Sequence, residues 1–470
     1  MINVDDTICA IATSLTPSGI GIIRVSGKEA IDIVSKIFVN SKKEKINLNE
    51  SHKVLYGYIY DEINDSFIDE VLVIPFFAPH SYTAENVVEI QSHGSAVVLK
   101  NILNLVNENG ARFAEPGEFT KRAFLNGRID LSKAESVSDI ISSKNNYALK
   151  ASFNQLKGNL SNKLNFFRNE ILESTAFIEA CLDDPEHMSL DGYKDKLKNN
   201  CENIIDDLNI IIKNYDNGKI IKEGINTVIL GKPNVGKSSL LNTLLNEDRA
   251  IVTDIAGTTR DTIKESINLN GITLNIIDTA GIRDEQNIDK VEKIGIDKAK
   301  SEANSADLII LVLDSSKPLD ENDSALINLC KSLNKKTITL LNKSDLTTNF
   351  DINEFCEPNH SDKLCEPLIN FSTKTKTGLA ELTYTIEQMF INKDLDFNNE
   401  IFISNERQLA LIKKAKTSLS NVVSSINNDM PEDLLTIDLT DAYAYLSQVL
   451  GIEINDDLVD EIFSKFCMGK

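Results

Sequence analysis

The sequence predicts a multidomain α/β and α protein with an N-terminal α+β part, a helical bundle, and an α/β domain inserted into that bundle. Three observations predict it. Short β-type runs broken by Gly and Pro fill Thr7 to Ile90. Apolar residues at helical spacing run from about Glu118 through Ile140, Phe153, Leu164 and Ile178, and return after Leu409. Between them, from Gly224 to about Ile391, strand and helix patterns alternate as a doubly wound sheet requires.

Taken in order, Thr7–Thr13, Gly19–Val25, Val54–Tyr60, Glu70–Phe77 and Val87–Ile90 read as strands and Ser95–Glu108 as a helix. A polar stretch, Asp183–Lys198, is expected to interrupt the helical region before Cys201–Tyr215 resumes it. Glu265–Leu269 and Ile272–Ile277 flank Asn270-Gly271, the favoured type I′ hairpin turn. Leu409–Ile426 and Leu434–Val449 read as helices, and Leu458–Cys467 closes the chain. Helix on both sides of the alternating stretch marks an insertion, which gives the expected division 1–122, 123–222, 223–391 and 392–470.

Composition narrows the function classes. A length of 470 residues allows about three domains, each with its own core. Met1-Ile-Asn-Val-Asp-Asp carries acid where a signal peptide carries base, and the apolar run Leu308–Leu313 is too short to span a bilayer. A cytoplasmic protein with no membrane partner is expected. Seven scattered cysteines without a C-x-x-C pair argue against a disulfide framework and a zinc site. A net charge of −22 opposes general affinity for nucleic acid, so any RNA contact must be local or shared.

The chemistry is concentrated in four segments. Gly231-Lys-Pro-Asn-Val-Gly-Lys-Ser-Ser239 lies between the apolar run Thr227–Leu230 and the helical pattern Leu240–Leu245. It is a phosphate loop: backbone N–H groups around Asn234, Val235 and Gly236 turn towards phosphates, Lys237 brings a point charge, and Ser238 and Ser239 open the helix. The hydroxyl of Ser238 suits Mg²⁺. Asp254-Ile-Ala-Gly-Thr-Thr259 follows, with a threonine for the metal, and then Asp278-Thr-Ala-Gly281, whose aspartate suits the metal shell and whose glycine N–H suits the γ-phosphate. Asn342-Lys-Ser-Asp345 comes after the apolar run Thr337–Leu341, where a strand end would meet the base. Guanine offers N1–H and N2–H₂ as two donors and adenine does not, so Asp345 selects GTP. These segments place Asp254, Ile255, Ala256, Gly257, Thr258, Thr259, Asp278, Thr279, Ala280, Gly281, Asn342, Lys343 and Asp345 at the nucleotide, and define a Ras-like P-loop G domain.

From Gly21-Ile-Ile-Arg-Val-Ser-Gly27 through Pro116-Gly-Glu-Phe-Thr-Lys-Arg-Ala-Phe-Leu-Asn126 to Phe466-Cys-Met-Gly-Lys470, the whole chain resembles MnmE/TrmE-type tRNA-modification GTPases. The resemblance implies an N-terminal folate-binding domain that dimerises and a helical domain carrying the inserted G domain. It also implies a FAD-dependent partner that joins the homodimer as a heterotetramer and acts with it on the wobble uridine of certain tRNAs. An aminomethyl-type group would be installed at C5 from the one-carbon unit of 5-formyl- or 5,10-methylene-tetrahydrofolate. GTP hydrolysis would act as the gate.

The same resemblance assigns residue roles. Ile282 follows Asp278–Gly281 where a glutamine usually orients the attacking water, so Glu292 is placed near that water as an indirect orienting group; without the resemblance it reads as an exposed helical glutamate. Asn234, Thr253, Ile255 and Thr258 are assigned to K⁺, and Ser238 and Thr259 to Mg²⁺. Ser372-Thr-Lys374 resembles the last base-contacting loop, with Thr373 in place of the usual Ala. Arg24, Glu89, Arg128 and Lys470 are assigned to the folate; on spacing alone the first three read as solvated charges. Cys467 is implicated in the modification, and its bland alternative is a helix end. In Glu179–Met188 this chain has Asp183-Asp-Pro-Glu-His-Met188 and lacks the aromatic usual there. His93 is expected to make a structural hydrogen bond at a strand-to-helix turn. A ribosome-assembly or regulatory GTPase, and a folate enzyme with a nucleotide-controlled lid, are the alternatives from other classes.

Overall fold

The computed structural model describes residues 6–184, 186–187, 189, 192–247, 265–277, 300–301, 303–347, 366–390, 401–403, 405–466 and 469. By spatial proximity the chain forms two compact units. One comprises Met1–Ser138, Gln155–Ile204 and Lys414–Lys470, the other Asp139–Asn154 and Ile205–Lys413. No described helix is long and apolar enough to cross a membrane.

The first unit is built on a seven-stranded sheet of β1 (Ile8–Ile11), β2 (Ser18–Ser26), β3 (Phe38–Val39), β4 (Leu55–Asp61), β5 (Ser66–Phe76), β6 (Val87–Gly94) and β7 (Arg112–Phe113), in the order β3-β4-β5-β6-β2-β1-β7. Period-2 alternation sends Ile23, Val25, Val71, Val73, Val88 and Ile90 to one face, where α1 (Ala30–Ile37) and α2 (Ala96–Glu108) cover them. Arg24 and Glu89, at the intervening positions, take the other face. The helix α1 is not among the expected elements, because the β-branched residues of Ala30-Ile-Asp-Ile-Val-Ser-Lys-Ile37 favour a strand locally. Its apolar residues nevertheless fall at 30, 33, 34 and 37, one helical face, and all four are buried, so tertiary burial overrides local propensity.

The helices continue with α3 (Glu118–Leu125), α4 (Leu131–Ser142), α5 (Asn146–Leu156), α6 (Asn159–Asp183), α7 (Tyr193–Lys213) and α8 (Tyr215–Glu223). The expected polar interruption at Asp183–Lys198 is therefore shorter than its composition suggests. The helix already begins at Tyr193, because Tyr193 stacks on Phe177 with ring centroids 4.2 Å apart and Leu197 is buried. Lys194 also pairs with Glu432 at 3.0 Å. Cys9, Cys181 and Cys201 are buried free thiols, Cys330 is buried as well, and burial pushes Cys9 and Cys201 up to about 12.

The second unit carries a six-stranded sheet of β8 (Ile225–Leu230), β9 (Glu265–Leu269), β10 (Ile272–Ile276), β11 (Leu308–Asp314), β12 (Lys336–Asn342) and β13 (Leu368–Asn370), ordered β13-β12-β11-β8-β10-β9. All neighbours are parallel except β9, which pairs antiparallel with β10 through the Asn270-Gly271 turn; both turn residues have positive φ, +48° and +88°, as type I′ requires. Every residue of β11 is buried, the mark of a sheet covered on both faces. Leu308, Ile310 and Val312 pack with α9 (Lys237–Glu247) and, through Leu382 and Ile386, with the later helix Leu379–Phe390. Ile309, Leu311 and Leu313 pack on the other side with Ile327 and Cys330 of α10 (Glu321–Leu333).

The last helices are α11 (Leu379–Phe390), α12 (Glu406–Asn427), α13 (Glu432–Leu450) and α14 (Asp456–Ser464). Within the second unit, Asn145 donates from Nδ2 to Ile221 O at 2.9 Å and to Thr273 Oγ1 at 3.1 Å. The ring of Tyr147 lies against Gly271, where a Cβ would sit 2.6 Å from Cε2.

Candidate functional site

The phosphate loop occupies 231–236, between the C-terminal end of β8 and the first turn of α9. Gly231, Asn234 and Gly236 all have positive φ, at +155°, +64° and +106°. Such reversals curl the main chain so that its N–H groups converge, an anion-binding concavity capped by the positive pole of α9. The glycines are dictated by close neighbours: a Cβ on Gly231 would meet Val312 O at 2.5 Å, and one on Gly236 would meet Asn342 Nδ2 at 2.2 Å. Lys237 donates from Nζ to Lys232 O at 2.8 Å, which holds its ammonium at the loop, and Ser238 and Ser239 sit in the first turn of α9. Lys232 pairs with Asp320 and Asp323, each at 2.6 Å. Burial alone would lower its pKa, but the bonds to the two aspartates outweigh that and raise it.

The base-reading segment lies at the end of β12. Asn342 is buried and donates from Nδ2 to Val235 O at 2.7 Å, while its Oδ1 accepts from Thr373 N at 3.2 Å. One side chain thus ties the phosphate loop to the 372–374 loop. The N–H of Thr373 makes that bond, so the replacement of Ala by Thr leaves it intact. Lys343, at φ +65°, donates to Asp314 Oδ2 at 2.7 Å and to Asn234 O at 3.2 Å. Burial would raise the Asp314 carboxyl, but Lys343 and Ser316 hold it low. Ser372 donates from Oγ to Asp345 Oδ1 at 2.8 Å, and Lys374 is exposed in the same loop. Asn234, Val235, Asn342, Lys343, Asp345, Ser372 and Thr373 are therefore linked by hydrogen bonds. Thr253–Thr259, Asp278–Gly281, Glu292, Cys467 and Lys470 lie outside the described residues.

In the first unit, Arg24 and Glu89 face each other across β2 and β6, and Arg24 donates from Nε and Nη2 to Glu89 Oε1 at 2.9 and 2.8 Å. Arg24 and Arg128 each lie 5.1 Å from the centroid of the Tyr82 ring, and Arg24 also lies 5.6 Å from that of Phe119. Arg24, Tyr82, Glu89 and Arg128, with His52 and Phe76, line a cavity of about 560 Å³, within the range of small-molecule sites, and the buried Phe119 ring backs Arg24 without lining it. Arg24 also donates from Nη1 to Gly469 O at 3.4 Å. Tyr82, Phe119 and Gly469 were not singled out from the sequence. Phe119 lies inside the Pro116–Asn126 motif, and nothing in its spacing says that it supports an arginine.

Phe119 follows Glu118, which belongs to a partly buried ion network. Arg122 and Glu118, each 1% exposed, pair at 3.0 Å, and Arg112 joins Glu118 and Asp6, both at 2.6 Å. Burial would raise the Glu118 carboxyl, but Arg112, the Glu115 N–H and Arg122 outweigh it and lower it. His93 accepts the structural role expected of it: its Nδ1 lies 2.8 Å from Asp69 Oδ1, and its main-chain N donates to Asp69 Oδ2 at 2.8 Å.

Comparison with known proteins agrees with this arrangement. The family model described as the GTP-binding protein TrmE N-terminus matches residues 7–128, and that of the MnmE helical domain matches residues 131–467. The tRNA modification GTPase MnmE of Lachnoclostridium phytofermentans is 50% identical over 466 residues, covering 99% of both chains. That of Acetivibrio thermocellus is 46% identical over 466 residues, again covering 99% of each. A solved structure of Era with MgGDPNP and nucleotides 1506–1542 of 16S ribosomal RNA is 27% identical, covering 41% of this chain and 66% of that one, and its TM-score of 0.27 is too low to bear on architecture. Two family models that together span almost the whole length, and full-length relatives at this identity, establish that the chain belongs to the MnmE/TrmE family of tRNA-modification GTPases.

Proposed function

We propose that this chain is a K⁺-stimulated GTPase which, with a FAD-dependent partner, installs an aminomethyl-type group at C5 of the wobble uridine of certain tRNAs, using the one-carbon unit of a reduced folate. The observation that carries the nucleotide reading is the pair of hydrogen bonds made by the Asn342 amide, one donated to Val235 O and one accepted from Thr373 N, which couples the phosphate loop to the 372–374 loop. Asp345 then accepts from guanine N1–H and N2–H₂, with its carboxylate plane fixed by Ser372. Lys237 supplies charge at the phosphates. The curled backbone at Gly231, Asn234 and Gly236 fits an anion.

In this reading Ser238 and Thr259 hold Mg²⁺, and Asn234, Thr253, Ile255 and Thr258 hold K⁺. Bound there, the cations would supply positive charge against the charge that builds on the transferred phosphoryl group. Glu292 orients the attacking water indirectly. Arg24, Glu89, Arg128 and Lys470 bind the folate, with Arg24 held against Glu89 Oε1 and the second carboxylate oxygen assigned to a pterin N–H edge. Cys467 acts in the modification. The division 1–122, 123–222, 223–391 and 392–470, a cytoplasmic homodimer, and a heterotetramer with the flavoprotein complete the proposal.

Nucleoside analysis of tRNA from a deletion strain is the central test. Loss of the C5-modified wobble uridine is the expected result; an unchanged nucleoside profile with a ribosomal-subunit defect would overturn it. GTP turnover should be faster in K⁺ than in Na⁺ at matched ionic strength, and equal rates dispose of the K⁺ assignment. Light scattering of the purified chain tests the dimer.

A further inference from the structure

The C-terminal segment is pinned at two described residues. Phe466 packs on Phe463 with ring centroids 5.1 Å apart, and it lies so close to the start of α3 that a Cβ on Gly117 would meet Phe466 Cβ at 2.8 Å. Gly469 is buried, has φ +81°, and lies against β1, where a Cβ would meet Ile11 O at 2.4 Å. Its carbonyl accepts from Arg24 Nη1. Both the steric limit and the backbone conformation exclude an L side chain at 469.

We propose that Gly469 is a positioning residue of the modification reaction: its bond to Arg24 and its close approach to β1 clamp the C-terminal segment to the wall of the Arg24–Glu89–Arg128 pocket. Arg24 already gives two donors to Glu89, so the Gly469 carbonyl fixes the remaining arm of the guanidinium. Ligand binding and docking of the terminus then share one side chain; the Gly469 carbonyl holds Arg24 in the orientation that faces Glu89, so the coupling is favourable, and linkage makes it reciprocal. The clamp rests on the folate reading only for the identity of the ligand.

The position of Cys467 makes a clean experiment possible. Residues 1–466, prepared as a thioester, can be ligated to synthetic Cys-Met-Xaa-Lys peptides that restore the full chain with Gly, L-Ala or D-Ala at 469. A D-alanine adopts φ near +81° as readily as an L-residue adopts its negative, and its methyl takes the other α-hydrogen position, not the one that meets Ile11 O. The L-Ala chain should show roughly tenfold faster amide exchange in its C-terminal peptide, roughly tenfold weaker binding of 5-formyl-tetrahydrofolate, and a similar fall in kcat for modification with little change in KM for tRNA. The D-Ala chain should match the Gly chain within about twofold.

Equal exchange and affinity in all three chains, or equal damage by L-Ala and D-Ala, would overturn the clamp. A Gly chain that fails to bind the folate while the L/D contrast in exchange persists removes the folate and leaves the clamp standing.

Discussion

The phosphate loop and the Arg24 pocket solve recognition in opposite ways. The first is made of main chain, from six consecutive residues at 231–236, and its side chains matter mostly by being absent. The second is made of side chains, Arg24, Tyr82, Glu89, Phe119 and Arg128, brought together by sheet pairing and by the placement of α3. A backbone site is sensitive to any added atom. A side-chain site is sensitive to donor geometry and tolerates changes that keep the fork.

The largest effect should come from Gly236→Ala, which adds a Cβ 2.2 Å from the buried Asn342 amide at a residue with φ +106°. We expect GTP affinity to fall by about two orders of magnitude, roughly 3 kcal/mol. Calorimetric affinity within fivefold of the parent would break the contrast at its stronger end. Asp345→Asn comes next: removing a charged acceptor should shift the ratio of GTP to xanthosine triphosphate binding by about a hundredfold, measured by competition. Unchanged GTP affinity would remove Asp345 from the base site.

On the side-chain site, Arg24→Lys keeps the charge but loses the fork to Glu89 and one of the donors around it. Binding of 5-formyl-tetrahydrofolate should weaken by about tenfold, and an unaltered affinity would show that charge alone suffices. The smallest effect concerns pH. The hydrogen bond that His93 donates to the Asp69 carboxylate raises the exposed His93 above its ordinary value of 6.5. The contribution of that pair is thus complete below pH 6.5 and fades as pH rises through the higher folded-state value. An NMR titration should place His93 above 6.5 in the parent and lower in Asp69→Asn, and no shift between the two would discard the pairing.

The same contrast explains what the sequence disclosed. A backbone cradle needs its glycines, lysine and serine side by side, so 231–239 announces itself, as does Asn270-Gly271, whose two positive φ angles form a local turn. The Arg24–Glu89 contact joins residues 65 apart, and Arg24–Gly469 joins residues 445 apart. No local pattern records such distances, and resemblance alone brought Arg24, Glu89 and Arg128 together. Tyr82, between two guanidinium groups, escaped notice because its place is set by the chain around it. The early start of α7 at Tyr193 was hidden for the same reason, since a polar sequence becomes helical there by packing on Phe177.

The grip of Asn145 and Tyr147 on the β9–β10 hairpin has a practical bearing on dissecting the chain. Asp139–Asn154 belongs by proximity to the same unit as the six-stranded sheet, although residues 155–224 separate it from β8. A fragment that begins at Gly224 would strip the Thr273 hydroxyl of its amide donor and uncover the bend at Gly271. A transplantable nucleotide-binding fragment therefore has to bring that short helical strip along, either fused or added back as a peptide.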